Sequence, residues 1–425
     1  VGVWRVLGLI SGTSMDGIDV AVAELRVVRE RIELTPLRHG CVDYPAQLRA
    51  MLFSALPPGE CGAETLCALD TGIGQAFAGA ATQAIGELPD RRVDLISSLG
   101  QTLYHWVAGD RCLGTLQLGQ PAWIAEATGV PVVSDLRARD VAAGGHGAPL
   151  APTLDELWLR GLDRGSLDRG GLGQGGLGAG PAAALNIGGI ANITVVPGQG
   201  PTVGYDTGPG NALLDLAWRT RLAGAVTRSA RYDTDGRIAE GGNVRQDLLD
   251  VLLADPYYAL RPPKSTGKEH FHVEYLDHAL AGLPDVAGAD LLATLTELTA
   301  ITVADACRRH GVRTVVASGG GAANPHLMAR LAAHLSPVPL ATSDDWGLPA
   351  DGKEAYLAAL LGFLTFHGLG ANNPGATGAD GPRLLGSITP GSGPLRLPEP
   401  VDHRITQLAV TGGRAPLAGG SIAGH

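Results

Sequence analysis

Two runs of small and hydroxylic residues hold the carboxylates best suited to chemistry in this chain. Ser11-Gly-Thr-Ser-Met-Asp-Gly17 lies near its beginning, and Val203-Gly-Tyr-Asp-Thr-Gly-Pro-Gly-Asn-Ala212 lies near its middle. Small residues let backbone N–H groups approach phosphate oxygens, and hydroxyls add further donors. A carboxylate that binds no phosphate is then available to take a proton or hold a metal. Two such loops, each entered from a strand, suit a cleft that grips a nucleotide from both sides, so a phosphotransferase is the leading expectation. Asp206 is its candidate base.

The bulk composition agrees with phosphate sites built locally by loops. Of 425 residues, 45% are hydrophobic and 17% charged, with a formal net charge of −10. That balance argues against nucleic-acid or membrane-surface partners. Cys41, Cys61, Cys67, Cys112 and Cys307 are scattered and form no paired metal or redox spacing,. No apolar run is long enough to span a bilayer. The expectation is a soluble, cytoplasmic protein acting on small molecules, with room left for a homodimer.

The elements that must position the two loops follow from periodicity. Strands are predicted at 6–10, 18–25 and 32–38, a meander with the first loop at its first turn. Helical spacing follows at 46–56 and 64–88, and a strand at 93–98 ends in a loop, 99–105, that contains Gln101. Another helix is predicted at 120–128 and a strand at 130–134. A second meander, 182–187, 193–196 and 202–205, repeats the plan, with 188–192 as its turn and Asp206 at its end. Helices at 212–221, 237–253, 291–310 and 325–335 follow, with a strand at 314–317 running into Ser318-Gly-Gly-Gly-Ala-Ala-Asn324. A last long helix opens at Lys353-Glu-Ala355. The repeated plan predicts a duplicated α/β architecture with an N-terminal lobe over 1–135 and a C-terminal lobe over 136–350. The helix in 351–372 is expected to pack back on the first lobe. The glycine-rich segment 161–180 reads as a flexible insertion, and 373–425 as an irregular tail.

Together, several motifs resemble the anhydro-N-acetylmuramic acid kinases. They are Gly12-Thr-Ser-Met-Asp-Gly-Ile-Asp19, Gly100-Gln-Thr102, Asp135-Leu-Arg137 with Asp140, Gly144-Gly-His-Gly-Ala-Pro-Leu150, Leu185-Asn-Ile-Gly-Gly-Ile-Ala-Asn-Ile-Thr194, Asp206-Thr-Gly-Pro-Gly-Asn211, Pro263-Lys-Ser-Thr-Gly267 and Lys353-Glu-Ala355, in that order. The resemblance implies a two-lobed α/β fold of the actin-like ATPase, ribonuclease H-like type, with the active site in the interdomain cleft. It also implies ATP and Mg²⁺ as cofactors. The implied reaction opens the 1,6-anhydro ring of 1,6-anhydro-N-acetylmuramic acid with water and phosphorylates O6, as in cell-wall recycling.

Site residues are carried over on matching positions. Asp206 would be the catalytic base. Gly12, Thr13, Ser14, Met15, Asp16, Gly17, Ile18 and Asp19 would form one phosphate loop, with Asp16 or Asp19 holding Mg²⁺ through water. Asn186, Gly188 and Gly189 would face it, and Gly319, Gly320, Gly321 and Asn324 would form the adenosine loop. Gln101, Arg137, Asp140 and Glu354 would contact the sugar, Arg137 by way of its lactyl carboxylate. Taken singly, each feature has a plainer explanation: a β-turn at 11–17, an Asx turn capping the helix after Asn211, a first-turn charge at Glu354. Their order and joint occurrence favour the functional reading. Two alternatives stay in view: a kinase for another sugar or acyl substrate, and a nucleotide-gated binding protein without turnover. Asp206 and Glu354 argue against the second, because a conformational switch needs no base facing a sugar.

Overall fold

A computed structural model describes residues 2–12, 15, 17–56, 59, 61–109, 111–162, 180–222, 232–262, 264–267 and 270–412. Thr13, Ser14 and Asp16 of the first loop, Pro263, nearly all of the 161–180 segment and the end of the tail lie outside the described residues. The chain divides into two compact units, Val1–Leu162 with Trp346–His425 and Asp163–Asp345.

The first unit is organised by the meander β1 (Trp4–Ser11), β2 (Gly17–Val28) and β3 (Arg31–Asp43). β1 pairs antiparallel with β2, from Trp4↔Leu25 to Ile10↔Asp19, and β2 pairs antiparallel with β3. On its other side β1 lies parallel to β4 (Leu95–Ala108), and β4 lies parallel to β6 (Val132–Ser134). Beyond Gln101, β4 continues as a hairpin with β5 (Arg111–Leu118). Successive side chains of β1 face opposite ways. Leu7 and Leu9 join the apolar core with Ile73 and Phe77 of the Ala63–Gly86 helix. Gly8 faces the Lys353–Phe366 helix so closely that an added Cβ would lie 2.0 Å from the Ala355 carbonyl oxygen. Gly362 of that helix makes a similar close approach to Ser97 of β4. Glycine is required at both points by contact rather than by an unusual φ.

The second unit has the meander β7 (Ala182–Ile187), β8 (Ile190–Val196) and β9 (Val203–Pro209). β7 pairs antiparallel with β8, and β8 with β9. β10 (Thr314–Ser318) lies parallel to β7, and β11 (Leu340–Thr342) parallel to β10. The order β11-β10-β7-β8-β9 repeats the order β6-β4-β1-β2-β3 of the first unit. The Gly288–Arg309 and Pro325–Leu335 helices supply Val303, Cys307, Leu327 and Leu331 to the core of this sheet.

Four expectations need correction. Residues 136–162, placed by sequence in the second lobe, belong to the first unit. There Lys353 pairs with Asp155 of the Ala151–Gly161 helix. The tail is not wholly irregular, because β12 (Ser387–Thr389) pairs antiparallel with β6 and β13 (Gln407–Val410) pairs parallel with β3. The loop expected at 99–105 is strand, and the helix expected at 237–253 is two, Arg237–Glu240 and Gln246–Leu253, parted around Gly241 and Gly242. Among the described residues no helix is long and apolar enough to cross a membrane.

Candidate active site

In the second unit the strand register builds a polar row. Asp206 of β9 is opposite Asn192 of β8, Asn192 is opposite Asn186 of β7, and Asn186 is opposite Ser318 of β10. Residues directly paired across a sheet share a face. Asp206, Asn192, Asn186 and Ser318 therefore line one face of four adjacent strands. Asn192 was expected in the turn; that turn is shorter, leaving Asn192 inside β8.

Asp206 is held from the backbone and from the side chain. Its N–H donates to the Lys264 carbonyl at 3.2 Å, and its carbonyl accepts the Tyr257 hydroxyl at 2.6 Å. The Thr266 N–H donates to Oδ2 at 3.0 Å. The helix that follows, Ala212–Ala217, receives no side-chain cap from Asn211, so the 206–211 run is not simply a helix cap.

β7 and β10 run parallel, so their following glycine turns emerge at one end of the sheet. Gly188 and Gly189 accept N–H groups of Gly210, Asn211 and Ala212 at 2.8–3.0 Å. Gly319 has φ +84°, and a Cβ there would meet the Asn186 Oδ1 at 2.6 Å. A Cβ on Gly320 would meet nothing within 4 Å, and one on Gly188 nothing nearer than 3.5 Å. The backbone is therefore open beside both glycines. Asn324 caps the Pro325–Leu335 helix, its Oδ1 accepting the Leu327 N–H at 3.0 Å.

In the first unit the 12–17 loop is tied down at both ends. The Ser11 hydroxyl donates to the Gly17 carbonyl at 2.7 Å, and Arg49 Nε donates to the Met15 carbonyl at 2.9 Å. Met15 and Ile18 turn their side chains into the core, which leaves only their backbones for a ligand. Asp19 is half-buried on β2. Gln101 is 1% exposed, and its amide Nε2 donates to the Gly12 and Thr102 carbonyls at 3.4 and 3.1 Å. Gln101 thus secures the loop. Among the described residues no cluster of three or more His, Cys, Asp or Glu side chains could hold a metal.

Asp140 and Arg137 divide the remaining expectations. Asp140 is fully buried and accepts from the Gly147 N–H, Asn372 Nδ2 and Thr377 Oγ1 at 2.7–2.8 Å. Three donors on one carboxylate make it a structural anchor for the 144–147 turn. Arg137 gives one guanidinium N–H to the Gly147 carbonyl at 2.8 Å, while its Nε is buried with no hydrogen-bond partner among the described residues. Burial pulls its pKa down, and the charges of Glu354 and Asp140 oppose that. His105 lies near both Arg137 and His146; burial first, then those charges, push its pKa down to about 4. Its Nδ1 shares a hydrogen bond with Thr115 Oγ1 at 3.0 Å.

A family model for anhydro-N-acetylmuramic acid kinase matches residues 4–391. The chain belongs to the anhydro-N-acetylmuramic acid kinase family. It is 53% identical over 410 residues to the anhydro-N-acetylmuramic acid kinase of Streptomyces coelicolor, covering 96% of this chain and 100% of that one. It is 48% identical over 395 residues to the enzyme of the same name from Rhodococcus erythropolis, covering 91% and 94%. A solved ROK family glucokinase from Streptomyces griseus is 15% identical, with a TM-score of 0.35 over 84% of this chain and 99% of that one. At that distance it carries no argument about the site.

His105, Thr115 and Gln117 sit on the β4–β5 hairpin, for which the Gly-Asp dipeptide at 109–110 in the sequence was a usable signal. Tyr257 and Thr266 hold Asp206 from segments distant in sequence; Thr266 lies in the Pro263–Gly267 motif, which carried no role of its own, and nothing local marked Tyr257.

Proposed function

We propose that this chain is an ATP-dependent kinase that opens the 1,6-anhydro ring of 1,6-anhydro-N-acetylmuramic acid with water and phosphorylates O6. The products are N-acetylmuramic acid 6-phosphate and ADP. The carboxylate of Asp206, held by Thr266 on the polar row in a member of this kinase family, carries the reading.

The electron flow balances without a further reactant. Asp206 takes a proton from water as its oxygen bonds to the anomeric carbon, and the bond from that carbon to O6 breaks. The electron pair released on O6 forms the new bond to the γ-phosphorus of ATP, and the bond to the ADP oxygen breaks. General-base assistance of this kind contributes roughly 10²–10⁴-fold. Opening the strained acetal generates the nucleophile only as water is activated, so ring opening and phosphoryl transfer are coupled.

The same strand order in both units supports a ribonuclease H-like reading, which assigns both units to one reaction. Gly12 to Asp19, with Thr13, Ser14 and Asp16, would serve the phosphates from the first unit. Asn186, Gly188 and Gly189 would serve them from the second, with Gly319, Gly320, Gly321 and Asn324 toward adenosine. The open backbone at Gly188 and Gly320 fits such a ligand. Mg²⁺ keeps several waters and needs only one or two protein carboxylates beside phosphates, so Asp19 with Asp16 fits it; the ion would neutralise phosphate charge. Arg137 fits the lactyl carboxylate, since its Nε lacks a partner among the described residues and a guanidinium fork matches a carboxylate,. Glu354 would contact the sugar. Gln101 and Asp140 would act through the loops they hold.

The test is mass spectrometry of the sugar product after incubation with ATP, Mg²⁺ and 1,6-anhydro-N-acetylmuramic acid in H₂¹⁸O, beside Asp206→Asn. A phosphorylated product with ¹⁸O at the anomeric position, lost in Asp206→Asn, is expected. A phosphorylated sugar without incorporated label would overturn the coupled ring opening.

A further inference from the structure

We infer that Lys264 is a positioning residue for Asp206, closing a ring of hydrogen bonds that fixes the carboxylate and supplying the cation beside it. The inference rests on Asp206 being the base of the proposed reaction. Lys264 contributes to the ring twice. Its carbonyl accepts the Asp206 N–H at 3.2 Å, and its ammonium donates to the Tyr257 carbonyl at 3.0 Å. The Tyr257 hydroxyl completes the circuit on the Asp206 carbonyl at 2.6 Å, and two residues after Lys264 the Thr266 N–H holds Asp206 Oδ2. The ammonium also lies 4.2 Å from the centroid of the Tyr257 ring and 6.0 Å from that of Tyr205, positions favourable for a cation over an aromatic face,.

Such a circuit does two things for a base. Main-chain hydrogen bonds at Asp206, with the N–H on its carboxylate, limit how far the side chain can swing from the attacking water. The ammonium favours the ionised carboxylate, so the base is unprotonated over a wider pH range. The groups facing Lys264 are Tyr205 and Asp206 from β9, Tyr257 from the Pro256–Ala259 turn and Arg309 from the end of the Gly288–Arg309 helix. Burial, assisted by Arg309 and opposed by Asp206, lowers the Lys264 pKa to about 8. The circuit therefore holds its charge in neutral solution and loses it in mild alkali.

The experiment measures pH profiles of kcat and kcat/KM with ATP, Mg²⁺ and the anhydro sugar for the wild type, Lys264→Met, Lys264→Arg and Asp206→Asn, with a thermal melt of each. Lys264→Met is expected to move the acid limb of kcat/KM upward by about half a pH unit or more, because the carboxylate loses its cation. Lys264→Arg should return that limb to its place. In the wild type a change in kcat/KM centred near pH 8 is expected, and it should vanish in Lys264→Arg, whose charge does not titrate there,. A natively melting Lys264→Met with an unmoved acid limb overturns the inference. If Lys264→Met does not fold, persistence of the alkaline change in Lys264→Arg overturns it instead. Full activity in Asp206→Asn would sink the base assignment itself, a result separable from either outcome at Lys264.

Discussion

Replacing Gly8 by alanine tests how tightly the sheet of the first unit positions the helix that begins with Lys353 and Glu354. The added Cβ would lie 2.0 Å from the Ala355 carbonyl oxygen and 2.5 Å from the Ala359 nitrogen, both backbone atoms that no rotamer change can move aside. Restoring an ordinary contact of 3.4 Å requires the helix and β1 to separate by about 1.4 Å. Overpacking of this kind costs ~1–3 kcal/mol, and the backbone nature of the clash favours the upper end. Against it stands a gain of ~0.5–1 kcal/mol from the lower chain entropy of alanine. The clash wins, with a net loss of about 2 kcal/mol, which corresponds to a fall in Tm of ~4–8 °C for a unit of this size. Displacing Glu354 by an ångström or more should also lower kcat/KM by up to about 10²-fold. The assay is a thermal melt with steady-state kinetics, using Gly79→Ala as the control. A Cβ on Gly79, in the Ala63–Gly86 helix, meets nothing within 4 Å and should stabilise slightly. A Gly8→Ala protein melting within about 1 °C of the wild type would refute the reasoning.

Other perturbations have equally definite outcomes. Lys353 and Asp155 form an ion pair at 2.6 Å with side chains 6% and 2% exposed, so Lys353→Ala, which takes the cation from a buried carboxylate, should cost ~3–5 kcal/mol in denaturant melts. The double variant Lys353→Met with Asp155→Leu should recover much of that loss, and failure to recover would show that the pair does more than neutralise charge. His105 should titrate by NMR near pH 4. Because its pKa is below the unfolded value of about 6.5, the unfolded chain binds the extra proton in between. Stability should therefore fall as pH drops from 6.5 to 4, and His105→Asn should flatten that slope. Asn324→Ala removes the cap of the Pro325–Leu335 helix and should cost ~1 kcal/mol, with a higher KM for ATP than for the sugar as the kinetic signature.

Sequence periodicity located the two meanders because their strands alternate over buried apolar faces. It also foresaw β1 running into a glycine-bearing turn and β7 into Gly188-Gly189. What it missed depends on partners remote in the chain. β12 and β13 are only three and four residues long, too short for a periodicity to show, and pair with β6 and β3. β4 continues through Gln101 because β5 pairs with it, although Gly100 with φ +64° reads as a breaker. Asp206 drew attention by its glycine-rich surroundings, and the structure puts it on β9 opposite Asn192. Its hold by Tyr257 and Thr266 was not legible, since those residues lie 51 and 60 positions away. Asp140 invited a ligand role by its motif, but its partners Asn372 and Thr377 come from far downstream and fill its oxygens.

The pairing of β13 with β3 has a consequence for biosynthesis. Thr35 and Thr411, joined at this edge through their hydroxyls, are 376 positions apart. At ~5–20 residues per second a ribosome takes roughly 20–75 s to make that interval. Throughout that time the outer edge of a long strand lacks its eventual neighbour. An exposed edge of this kind invites pairing between nascent chains, and charged side chains such as Arg31, Glu33 and Arg38 on β3 are a recognised defence,. Synthesis rate, chaperone supply and C-terminal truncation should therefore govern the yield of folded protein more than they govern the activity of molecules already folded.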